Sequence, residues 1–163
     1  MKKEKKKCFV IMIAKVFPAT HPRKGQPTNF KQLINKGKKL HTIRGNLSLW
    51  RKRIKEVNEG RAYISLRQWE SEPYKSKQFE FRQLKAGQVN IQKCEILTKS
   101  VMKQIKILID GEEYPVPRIA RFDGLTPVDF YFWMNPKCQN LHMKNHCIIH
   151  FTPHKYDETC KKL

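Results

Sequence analysis

Residues 37–44, Gly-Lys-Lys-Leu-His-Thr-Ile-Arg, gather Lys38, Lys39 and Arg44 around one hydroxyl, Thr42, with His41 beside it. Fixed cations of this kind hold a phosphate or polarise a carbonyl. A threonine becomes a nucleophile only when a base takes its proton. Lys39 can be that base if burial, or the charges of Lys38 and Arg44, destabilise its ammonium. On a regular extended chain Lys38, Leu40, Thr42 and Arg44 share one face, and Lys39, His41 and Ile43 take the other. Lys39 therefore meets Thr42 only if a turn or bulge after Gly37 breaks the alternation.

Other residue types invite other chemistry. Trp69 and Tyr74 stand among polar residues beside a turn and read as stacking platforms for nucleic-acid bases. Tyr131, Phe132 and Trp133 fall on a helix with something to bury, and read as core. Cys138, His142, His146, His150 and His154 recur every four residues, the spacing of a zinc site on one helix. Pro136 and Pro153 bracket that segment and Cys147–Phe151 reads as a strand, which scatters the side chains, so no metal site is expected. Cys8 and Cys147 read as inert core thiols. There is no P-loop and no dinucleotide-binding glycine pattern, and no cofactor is expected.

Composition narrows the partner. The 163 residues hold 34 Lys and Arg against 14 Asp and Glu, a formal charge of +20. Such an excess calls for a polyanion, because binding phosphates releases counterions. RNA, or a modified nucleoside or nucleotide, is the leading partner class. No membrane partner is expected, since no long basic amphipathic helix and no segment of spanning length occurs. Five irregularly spaced cysteines fit reduced thiols and a cytoplasmic location. The apolar run Cys8–Ala14 is too short for a signal peptide and reads as a buried first strand.

These residues must be positioned by short elements. Strands are expected over 8–17, 61–69, 78–82 and 88–98, with a hairpin over Asp110–Gly111 and a last strand over 145–151. A short helix capped by Thr28 buries Phe30, Leu33 and Ile34 and ends at Gly37. The clearest helix, 46–59, has Asn46 as cap, Leu47, Trp50, Ile54 and Val57 as its apolar stripe, and Arg51, Lys52, Arg53 and Lys55 off it. Another begins at Thr126, with Pro127 in its first turn. About six strands, two or three short helices and no βαβ rhythm give an α+β fold, a small mixed β-barrel. The expected domain layout is a disordered basic leader over 1–7, a single domain over 8–155 and a short polar tail over 156–163.

The spacing G-x-K-x-x-T-I-R resembles the signature of the ASCH family, a branch of the PUA-like β-barrels associated with RNA. Gly37, Lys39, Thr42, Ile43 and Arg44 carry the match, and Phe122–Phe130 (FDGLTPVDF) resembles the acidic residue and capped helix downstream of it. The resemblance covers residues 9–152. It implies a PUA-like barrel and, by analogy with amidohydrolases that deacetylate N4-acetylcytidine, a catalytic set of Lys39, Thr42 and Asp123. The family acid is Glu; Asp123 is one methylene shorter, about 1.5 Å of reach. The 46–59 helix, inserted after the motif, is a candidate lid.

Two functions follow as expectations. The first is an RNA- or nucleotide-binding module, with Gly37, Lys38, His41, Arg44, Trp69 and Tyr74 as ligand contacts. The alternative is a hydrolase acting on N4-acylated cytidine or processing RNA through Lys39, Thr42 and Asp123. A structural protein whose basic surface meets another partner is the remaining class.

Overall fold

The computed structural model describes residues 6–157. Among the described residues the chain is α+β, with eight strands in two sheets and four α-helices. Strand β1 (Lys7–Met12) lies parallel to β3 (Ala62–Trp69), which pairs antiparallel with β4 (Gln78–Leu84). The second sheet is antiparallel, in the order β2 (His41–Gly45), β8 (Leu141–His150), β5 (Asn90–Lys99), β6 (Gln104–Ile109), β7 (Glu112–Tyr114). Both sheets feed one core: Ile11, Ile64, Leu66 and Leu84 from the first meet Ile96, Ile107, Ile148 and Ile149 from the second.

The helices sit where their sequences require. Helix α1 (Phe30–Asn35) buries Phe30 and Ile34. Asn29, in the left-handed conformation, occupies the position before the helix and makes no side-chain cap bond. The Thr28 hydroxyl accepts from the Phe30 amide at 3.3 Å, as expected of a cap, and donates to the Ala14 carbonyl at 2.7 Å, tying the loop to the residues after β1. Helix α2 (Leu47–Asn58) is capped by the Asn46 side chain, which accepts from the Leu49 amide, and it buries Leu47, Trp50, Ile54 and Val57 as its spacing dictates. It packs on β3, β5 and β8 and lines no part of the cavity around Thr42, so it is not a lid over that site. Asp110 and Gly111 both take positive φ, 50° and 88°, forming the two-residue turn between β6 and β7.

Several expectations need correction. Strands number eight rather than about six, because the hairpin contributes two and residues 41–45 add an edge. Helices number four, because α3 (Val116–Phe122) joins α4 (Pro127–Met134). Cys8 is exposed, not core. Lys7, expected in the leader, begins β1 and pairs with Glu56 at 2.8 Å; residues 1–5 lie outside the described residues. Tyr156 is buried, and the domain runs past 155; of the expected tail, residues 158–163 lie outside the described residues.

Candidate functional site

The site begins with how α1 ends. Gly37, at φ 65°, reverses the chain, and the amides of Lys38 and Lys39 both bond to the Leu33 carbonyl. A left-handed glycine with this back-bonding is the usual end of a helix. It also means that Lys39 belongs to the turn, not to a strand. Regular pairing starts at His41, opposite His150. Lys39 is therefore free of strand alternation, and it lines one cavity with Thr42, Arg44 and Asp123.

That cavity, about 60 Å³, lies where the last residues of β1 face the free edge of β2. Met12, Ile13 and Ala14 form one side, and Thr42, Ile43 and Arg44 the other. Arg44 crosses the gap and donates to the Met12 carbonyl at 2.6 Å. Phe30, Trp133 and Met134 close the apolar wall. Phe30 and Trp133 meet edge to face at 5.4 Å, so the aromatic run of α4 supplies Trp133 to the site and Phe130 to the core.

Asp123 reaches the cavity because α3 ends on it, with Gly124 following at φ 81°. A carboxylate at a helix C-terminus faces unpaired carbonyls and the negative end of the dipole, an unfavourable place without a cation. Lys39 supplies the cation. Its Nζ donates to Asp123 Oδ1 at 2.6 Å and also to the Asp123 carbonyl, and it lies over the Phe30 ring at 4.3 Å. Lys39 and Asp123 are each 3% exposed. Gly124 makes this approach possible: a Cβ there would meet Leu33, Lys39 and Phe30 at 3.2 Å.

Burial is the largest influence on both charges. It lowers the Lys39 pKa, against the pull of Asp123 in the other direction. For Asp123 burial alone would raise the pKa, but the Lys39 ammonium and the His41 ring outweigh it, and the carboxyl sits below its ordinary value. The two groups are held as a hydrogen-bonded pair at 2.6 Å, in which burial works against the lysine's charge and Asp123 in favour of it.

The motif's remaining residues part company. His41 stands behind Asp123, its Nδ1 3.7 Å from Oδ1, beyond hydrogen-bonding distance and without another partner. Its Nε2 bonds Tyr156 Oη at 2.8 Å, and with His150 and Tyr156 it lines a second cavity of about 290 Å³. Burial lowers the His41 pKa and takes that of His150 down to about 3, so both rings are neutral. Gly37 and Lys38 line a third, larger cleft of about 620 Å³, together with Arg23 and Arg121. Trp69 and Tyr74 pack on each other at 5.3 Å and line none of these three. Tyr74 is 90% exposed. His142, His146 and His150 all lie on β8, where four residues span about 13 Å. Burial pushes the Cys147 thiol up to about 12, so it is un-ionised.

Sequence reasoning missed Arg23, Arg121, Tyr156 and helix α3. The helix had a signal: Pro117 in its first turn and Gly124 just past its end. No family model, curated protein or solved structure matches the chain.

Proposed function

We propose that the protein is an RNA- or nucleotide-binding module of the ASCH type, built on a PUA-like barrel left open beside the site. The facing edges of β1 and β2, bridged by Arg44, support the barrel reading. One observation carries the functional reading: Lys39 donates to Asp123 at 2.6 Å in the cavity that Thr42 and Arg44 also line, an arrangement that favours the ammonium form. A protonated lysine and an arginine are donors to a carbonyl or phosphate, and neither takes the proton of Thr42. The +20 charge supplies the long-range attraction. At about 60 Å³ the cavity is far below the several hundred Å³ of a whole-ligand site, which fits the edge of a base or a single substituent.

The test is binding of single-stranded RNA, read by fluorescence anisotropy across a salt series. Affinity falls steeply with salt, and Thr42→Ala leaves it unchanged. Absence of binding at about 50 mM salt removes the reading.

A hydrolase is the second reading, favoured by the convergence of Lys39, Thr42 and Asp123 on one cavity. Moving one proton from Lys39 to Asp123 within the pair gives the amine base. The amine takes the Thr42 hydroxyl proton, Oγ attacks the acyl carbon of an N4-acylated cytidine, and the proton leaves with the N4 amine. Water then hydrolyses the acyl-threonine ester. Release of cytidine from N4-acetylcytidine, abolished by Thr42→Ala in a folded protein, is the expected result. Equal turnover by wild type and variant excludes Thr42.

A further inference from the structure

Lys38 and Lys39 are neighbours in sequence, but Lys38 opens onto the cleft of about 620 Å³ and not onto the Thr42 cavity. Arg121, on the last turn of α3, lines the same cleft. Both side chains are exposed, and neither makes an ion pair among the described residues. Asp129 is the one acid among the described residues lining the cleft, and it is occupied by Arg23, whose guanidinium lies 2.7 Å away and stacks on Phe17 at 4.5 Å. Arg23, Lys38 and Arg121 against Asp129 leave the cleft two positive charges in excess. Two uncompensated cations facing one concave space repel each other, and an anion between them relieves that repulsion. Gly37 on the rim has nothing within 4 Å of where a Cβ would stand, so a ligand can approach its backbone. A volume of this size lies in the range of nucleotide-sized ligands.

We propose that this cleft is a phosphate subsite, in which Lys38 and Arg121 bind the phosphate of an RNA strand or a mononucleotide. The proposal rests on the RNA- or nucleotide-binding reading and places the phosphates outside the Thr42 cavity. It also sets the cleft against the other basic surface, Arg51 and Lys52 on the outer face of α2.

The experiment compares wild type, Lys38→Ala/Arg121→Ala and Arg51→Ala/Lys52→Ala. Probes are a 5′-fluorescein single-stranded RNA of about eight nucleotides, a typical single-strand site size, and cytidine with and without a 5′-phosphate. The cleft variant binds RNA on the order of tenfold more weakly at 0.1 M salt, and its log–log salt slope is flatter by about 1.4, two phosphate contacts at roughly 0.7 each. The α2 variant matches wild type. Equal losses in both variants, or loss in the α2 variant alone, overturn the cleft while leaving RNA binding intact. Binding of the 5′-monophosphate but not of cytidine, lost in the cleft variant, identifies a mononucleotide as the phosphate source when RNA does not bind. If wild type binds neither RNA nor the monophosphate, the cleft and the functional reading fall together.

Discussion

Lys38 and Lys39 differ by one position in the chain and by almost everything in their surroundings. Lys38 is solvent-exposed in a wide cleft without a free carboxylate. Lys39 is enclosed, with Asp123 at 2.6 Å and the Phe30 face at 4.3 Å. The difference shows how burial assigns a job to a charge. An enclosed ammonium cannot persist without a counter-charge, so the fold provides one, and the resulting pair is local and geometrically fixed. A solvated ammonium needs no partner and remains available to a ligand.

The contrast can be broken from either side. The largest effect is expected from Asp123→Ala, which leaves Lys39 buried and unpaired and lowers stability by about 3–5 kcal/mol in urea denaturation. Lys39→Met/Asp123→Leu, which removes both charges, should recover most of that loss; a double variant as unstable as the single one would mean that the pair is not what burial makes costly. Gly124→Ala comes next. With φ at 81° and three neighbours at 3.2 Å, it lowers stability by about 1–3 kcal/mol.

A pH series sharpens the comparison further. The Asp123 pKa is depressed by folding, so its contribution is present above the unfolded value, 3.8, and is lost as pH falls through the folded one. The histidines act earlier. His150 titrates near 6.5 when unfolded and about 3 when folded, so below pH 6.5 the unfolded chain binds a proton that the folded chain refuses. Stability then drops by at most about 1.4 kcal/mol per pH unit from this group. His150→Gln should flatten the profile between pH 6.5 and 5, read by thermal unfolding; an unchanged slope would exclude His150 as its source. The smallest stability effect belongs to Lys38→Ala, within about 0.5 kcal/mol of wild type. A larger loss would show that Lys38 is structural after all.

Much of the scaffold is legible in the sequence. The α2 stripe, the Asp110–Gly111 turn, Thr126 as cap and Gly37 as terminator all depend on interactions within a few residues, and each is found where local rules place it. Helix α3 was not read, although Pro117 and Gly124 mark its ends, because it follows the hairpin strand β7 after the single residue Pro115, with no loop to separate the two. The His41–Tyr156 contact joins residues 115 apart, and nothing near Tyr156 distinguishes it from a polar tail.

The candidate site divides along the same line. Sequence alone determined which groups were available: the Lys, Thr and Arg of residues 37–44, an acid at 123, and a charge that needs polyanions. Those facts follow from residue type, and residue type is local. Only the tertiary structure decided that Lys39 leaves the strand's alternation, meets Asp123 and shares a cavity with Thr42, while Lys38 lines a cleft with Arg121. The physical reason is that one left-handed glycine reverses the chain just before the two lysines and the residue after α3 packs against α1. Those side-chain directions depend on backbone path and on long-range contact, which no spacing encodes.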